Sequence, residues 1–218
     1  MGQYHKPVVI IEKNVRKANK YGCMPAPDCT AKAYNPFDYD NTYKLMEWGY
    51  IGNTVLDTAL SELIRPVTDK RKRLLGIVGD YSTTDMLEIP EGLNDFRYEI
   101  VAVHDAVWNK YGEKALQKKN APRKLHTDDG NQWYAVNRTL GEYVRLFDLP
   151  DVCEGSTLQI NPLAVLCCTS NGEGGGDYSG INAGLAGRWA FHDICLTLDA
   201  PDDAEYKEIV PGFREVRE

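Results

Sequence analysis

Apolar positions along this chain fall into short runs separated by polar stretches. Val8-Val9-Ile10-Ile11, closed by Glu12, is a continuous β-favouring run and predicts a buried strand over 8–12. A polar stretch containing prolines follows from Asn14 to about Tyr39, too long for a routine connection and read as a functional loop or an insertion. Val55, Leu56, Ala59, Leu60, Leu63 and Ile64 then recur in pairs every four residues, the pattern of a helix with one buried face. Asn53 is placed to cap its start, and Pro66 marks its end. Leu74 to Val78 predicts a second buried strand, running into Gly79-Asp80-Tyr81-Ser82. Tyr98 to Val103 is a third strand candidate, and Asp105 to Lys119 predicts a helix with Val107, Trp108, Tyr111 and Ala115 facing inward.

Beyond a polar loop over 120–132, Trp133 to Phe147 has the pattern of a hairpin that turns around Leu140-Gly141. Asn161-Pro162 opens a short apolar helix through Cys168, with Asn at the cap and Pro in the first turn. A glycine-rich segment follows over 171–180, and His192 to Leu198 predicts the last strand, with His192, Ile194, Leu196 and Leu198 on one face. Strands, helices and a hairpin mixed in this way predict an α+β fold, with mixed sheet and a few short helices. Residues 4–82 and 133–199 share an order: aromatic-led strand, linker, Asn-started apolar helix, strand. That order suggests two related strand–helix–strand halves, sharing one sheet or packed face to face. The chain divides accordingly into an N-terminal half-unit (1–82), a helical or loop insertion (83–131) and a C-terminal half-unit (132–218), expected to form one globule.

Composition narrows the function classes more than it names one. The 218 residues are 43% hydrophobic and 26% charged, which excludes disorder and fibrous structure. No apolar run approaches the ~20 residues of a membrane span. The start, Met1 to Pro7, lacks an apolar signal core, so a cytoplasmic location is expected. The net charge of −7 opposes broad nucleic-acid affinity. A local basic patch remains open, from the Arg65–Arg73 cluster or from Lys110, Lys114 and Lys118, extended by Lys119, Arg123 and Lys124. Solvated helix charge is the ordinary reading of the lysine stripe. The six cysteines fit a reducing compartment, with Cys167 and Cys168 as small buried hydrophobes. Cys23 and Cys29 are spaced C-x5-C rather than the C-x2-C of zinc sites, so no metal site is assigned.

Three segments carry a resemblance: Met1-Gly2-Gln3-Tyr4-His5, Tyr43 to Gly49, and Asn161 to Asp177 continued by Gly187-Arg188-Trp189-Ala190. Together they resemble a group of small bacteriophage and bacterial proteins. In that group a glycine-rich Asn-Gly-x-Gly-Gly-Gly-Asp follows a short apolar helix and precedes a Gly-x-Trp-Ala-Gly-Asp-x-Ile strand. The resemblance implies a phage or bacterial source and brings no reaction. Phe191-His192-Asp193 stands where the group has Gly-Asp.

The glycine-rich segment is the most site-like stretch. Glycines admit positive φ and let backbone N–H groups converge on a ligand. Gly174, Gly175, Gly176, Asp177 and Tyr178 are therefore candidate ligand-binding residues. The segment has neither the Lys of a P-loop nor the G-x-G-x-x-G setting, and Glu173 and Asp177 favour a hydroxyl-rich or metal-bridged ligand over a bare phosphate. The alternative is a tight loop in which Asp177 bonds its own backbone. Of the four histidines, His5 and His192 rank as candidates because both lie beside core strands, while His104 and His126 rank lower. For each, a surface or satisfied core position is the ordinary role. The motifs G-x-S-x-G and H-E-x-x-H are absent from the sequence. Loop aromatics such as Tyr34, Phe37, Tyr39, Tyr43 and Trp48 either stack on a ligand or cover the core, the second being the ordinary role.

These features predict an accessory protein that binds a small polar, nucleotide-like ligand or a host protein without catalysis, with no cofactor identified. A metal-assisted hydrolase or transferase using His5, His192 and Asp177 is the alternative enzyme reading, and an oligomeric interaction protein is the third.

Overall fold

A computed structural model describes residues 3–116, 121–125, 131–147, 159–170 and 185–211. Its strands are β1 (His5–Glu12), β2 (Cys29–Ala33), β3 (Arg73–Gly79), β4 (Tyr134–Asn137), β5 (Glu142–Arg145), β6 (His192–Thr197) and β7 (Lys207–Glu208). Among the described residues these seven form one sheet, in the order β2-β1-β3-β6-β4-β5-β7. All pairs are antiparallel except β5–β7, so the sheet is mixed and the fold is α+β. The helices are short: α1 (Leu45–Trp48), α2 (Thr54–Ser61), α3 (Arg97–Ala106), α4 (Lys110–Leu116) and α5 (Pro162–Leu166). None in the described residues is long and apolar enough to cross a membrane.

The sheet order reads alike from its centre outward. β3 and β6 meet at Leu74–Asp193 and Leu75–His192. On one side Val8 of β1 lies between Ala33 and Gly76; on the other Val136 of β4 lies between Tyr143 and Cys195. Each half also completes the other. The residues after α2 pair with β6, where Leu196 N–H donates to Leu63 O and Arg65 N–H to Leu196 O. The residues after α5 pair with β3, where Ile77 N–H donates to Cys167 O and Thr169 N–H to Ile77 O. Before the two helices, Tyr50 and Ile160 bridge one another. The two halves therefore share one sheet, with matching registers on either side of an axis at Leu74 and Asp193.

Both faces of the sheet are covered. Val9, Leu75, Ile77, Ile194, Leu196, Ala135 and Val144 pack with α2, α5, Trp48 and Trp189. On the opposite face, Val8, Ile10, Leu74 and Val78 pack under Phe96, Ile100 and Val103 of the α3 region. That double cover explains why β1 and β3 read as continuous apolar runs rather than alternating ones. β1 starts earlier than the sequence pattern suggests, at His5, and includes Pro7. Ile77, opposite Pro7, spends both its backbone groups on Cys167 and Thr169, so the missing proline N–H removes no bond from the β1–β3 ladder.

Several sequence expectations need correction. Residues 98–103 are not a strand but part of α3. Phe96, Ile100, Val103 and Val107 are buried at helical spacing while Tyr98 is 80% exposed, so spacing outweighs the β-branched content. The helix expected over 105–119 is split, because α3 ends at Ala106 and α4 begins at Lys110; Tyr111 is exposed, not inward. The polar stretch 14–39 contains β2, an edge strand whose Cys-Thr-Ala-Lys-Ala carries little apolar signal. α2 stops at Ser61, before Pro66, because the chain must straighten at Leu63 to pair with β6. Both asparagine caps hold: Asn53 Oδ1 accepts from Val55 N–H and Asn161 Oδ1 from Leu163 N–H, each at 3.0 Å.

Candidate functional site

Gly174, Gly175, Gly176, Asp177 and Tyr178 lie outside the described residues, as do His126 and Cys153. The described chain on either side of the glycine-rich segment is firmly anchored. Ser170 leads into it, and Leu185 to Trp189 lead out. Gly187 N–H donates to Val165 O and Trp189 N–H to Leu166 O, so the exit runs beside the entry. Gly187 has φ +77°, and a Cβ there would meet Cys168 O at 2.6 Å. A glycine is required at this close approach.

The entry is bonded to the start of β1. Gln3 and His5 are wholly buried and Ser170 nearly so. Gln3 Nε2 donates to Ser170 Oγ. His5 Nε2 lies 3.2 Å from Ser170 O; a carbonyl only accepts, so this nitrogen carries the proton. Cys168 Sγ–H donates to the same carbonyl at 2.6 Å. Gly79, at the end of β3, completes the cluster, because a Cβ there would collide with Gln3 Nε2 and Ser170 Oγ. Gln3 Oε1 is buried and has no hydrogen-bond partner among the described residues. Leaving such an acceptor unmade costs about 1–3 kcal/mol.

The exit carries a second polar group, built on the other half-unit. Asn137 Nδ2 donates to His192 Nδ1 at 2.9 Å. An amide nitrogen only donates, so the proton of His192 sits on Nε2. Burial pushes the His192 pKa down from 6.5 to about 4, against the nearby Glu142 that favours the cation, so the ring is neutral at pH 7. Glu142 accepts from Trp189 Nε1 at 3.0 Å and from the Arg188 guanidinium. Asn137 Oδ1 is taken by Thr139 and Leu140 N–H, at 2.9 and 3.1 Å. His192 is thus a neutral ring fixed in the wall, with a structural role available to it.

His5 and His192 are not brought together. Their partners on β3, Gly79 and Leu75, are four residues apart, roughly 13 Å of strand. They share a face of the sheet, His5 beside Ser170 and His192 beside Trp189. Among the described residues no three His, Cys, Asp or Glu side chains group as metal ligands. Cys23 is exposed, Cys29 half-buried in β2, and both are free thiols.

The basic cluster over 65–73 is directed largely inward. Arg65, with its side chain 2% exposed, pairs with Asp193 at 2.6 Å. Arg138 clasps the other Asp193 oxygen through Nε and a terminal nitrogen, at 3.0 and 2.5 Å. Arg73 N–H donates to Asp193 Oδ1, and Arg71 pairs with Asp69. Lys70 is exposed, and the Arg71 side chain is partly so. Lys110, Arg123 and Lys124 are exposed, while Lys118 and Lys119 lie outside the described residues. Tyr34, Tyr39 and Trp48 cover the core; Phe37 is exposed.

Gln3, Ser170, Asn137 and Glu142 had no sequence signal, since each is a common polar residue placed only by strand register. Asp193 carried one weak signal, an acid inside an otherwise apolar strand. No family model, curated protein or solved structure matches the chain.

Proposed function

We propose that this chain is an accessory protein that holds a small polar, nucleotide-like ligand at the lead-in of its glycine-rich segment. The observation that carries this reading is the wholly buried Gln3 carboxamide, whose oxygen lacks a partner among the described residues beside His5 and Ser170. A buried acceptor of this kind fits a ligand N–H or O–H, as a nucleobase edge or a sugar hydroxyl supplies. Gly174, Gly175 and Gly176 would give backbone N–H groups to the same ligand, with Asp177 and Tyr178 on its polar rim. No chemical step is assigned to this site.

Native mass spectrometry of the protein purified from cells tests the reading without choosing a ligand beforehand. The expected result is a bound small molecule that carries hydrogen-bond donors and is lost in Gln3→Leu. Retention of that molecule in Gln3→Leu would contradict it.

A further inference from the structure

Beside α3, three side chains stand in the order of a nucleophile, a base and an orienting acid. Ser82 lies three residues beyond the end of β3, in a turn closed by Ser82 N–H donating to Gly79 O at 3.1 Å. Its Oγ is 2.8 Å from His104 Nε2. His104 belongs to the last turn of α3 and is 5% exposed. Its Nδ1 is 3.6 Å from Asp105 Oδ1, and has no hydrogen-bond partner among the described residues.

The tautomer follows from the charges. With the proton on Nδ1, an N–H faces the Asp105 carboxylate and the Nε2 lone pair accepts the Ser82 hydroxyl. With the proton on Nε2, a lone pair would face the carboxylate. The first arrangement is favoured electrostatically, and it is the one that general-base activation of a serine needs. Burial also favours the uncharged ring, lowering the His104 pKa. Ser82 is half-buried, and the turn exposes Tyr81 and Met86 beside it.

We infer that Ser82 is a nucleophile activated by His104, with Asp105 as positioning residue, and that it is acylated by small neutral or cationic esters. Asp80 and Asp85 lie within two or three residues of Ser82 and Asp105 beside His104, a run of negative charge that disfavours anionic substrates. Ser82 Oγ bonds to the carbonyl carbon while its proton passes to His104 Nε2. The ester C–O bond breaks, and the departing alkoxide takes that proton. Water then adds to the acyl carbon, giving the carboxylic acid and restoring the serine hydroxyl.

The test treats the full chain with an alkyl fluorophosphonate, which serine Oγ attacks with loss of fluoride. Intact mass and peptide mapping locate the adduct. The expected result is one adduct, on Ser82, absent from Ser82→Ala and formed about 100-fold more slowly in His104→Gln. Asp105→Asn should slow labelling at an unchanged far-ultraviolet spectrum. No adduct on wild-type Ser82, or one formed equally fast in His104→Gln, would overturn the inference, leaving Ser82 a hydrogen-bonding cap on a buried ring. The wild-type mapping stands whether or not either variant folds.

Discussion

Asp57 and His192 are both buried, and burial moves their pKa values in opposite directions. Desolvation raises Asp57 from 3.8 to about 7, opposed by the Leu125 N–H and by Lys124. The folded state therefore takes up a proton more readily than the unfolded chain, so this group adds stability as pH falls from 7 toward 3.8. His192 has the reverse sign: its folded pKa of about 4 lies below 6.5, so stability is lost as pH falls from 6.5 toward 4. The two contributions offset one another in mildly acidic solution. Asp57→Asn should raise the melting temperature more at pH 8 than at pH 4, because the amide can still accept from Leu125 N–H without carrying charge. His192→Gln should remove the acid-side loss, so its urea midpoint falls less than that of wild type between pH 6.5 and 4.5. Parallel pH profiles for wild type and both variants would contradict these assignments. Neither shift is legible in the sequence: Asp57 occupies an ordinary first-turn position, and His192 stands out only by its place beside a core strand.

Helices and strands of this chain were legible where one mechanism dominates. Asn53 and Asn161 announce α2 and α5 because a side-chain cap is a local device. The hairpin of β4 and β5 is likewise local, with Gly141 at φ +66° in its turn. α3 was misread because Val and Ile at 100–103 favour strands, while the spacing that decides the matter needed Phe96 and Val107 in the same window. β2 was missed because an edge strand can be stabilised by its ladder alone. One close approach tests the packing of these elements. A Cβ on Gly76 would lie 2.6 Å from the Phe191 ring, whereas one on Gly92 meets nothing within 4 Å. Gly76→Ala should cost about 1–3 kcal/mol in urea unfolding through overpacking, and Gly92→Ala should be near neutral. Equal costs would show that Phe191 does not pack on Gly76.

At the scale of the molecule, the two half-units are held at their shared axis by a charge network as well as by backbone. Asp193 sits at that axis and bridges Arg65, from the residues after α2, to Arg138, from the β4–β5 turn. Removing it strands buried guanidinium charge, so Asp193→Ala should cost about 3–5 kcal/mol. Because each half completes the other's sheet, hydrogen exchange in this variant should quicken in β1 and β4 together. Loss confined to β4 would mean that the halves open independently. The repeated order of elements was readable from the sequence; the axis was not, since β3 and β6 meet through only two paired positions and nothing local specifies that contact. The candidate site was legible in part for the same reason. The glycine-rich segment stands out by composition, but Gln3 meets Ser170, just before it, only once β1 is placed in the sheet.

In the proposed function, Gln3 helps to hold a polar ligand at that lead-in. Isothermal titration of the full chain with nucleosides, nucleotides and cyclic nucleotides tests it most directly. One of these probes should bind at a single site, raise the melting temperature, and bind at least about tenfold more weakly to a folded Gln3→Leu variant. No heat and no change in melting temperature with any of them, or binding untouched by Gln3→Leu, would rule out a ligand-holding role for Gln3.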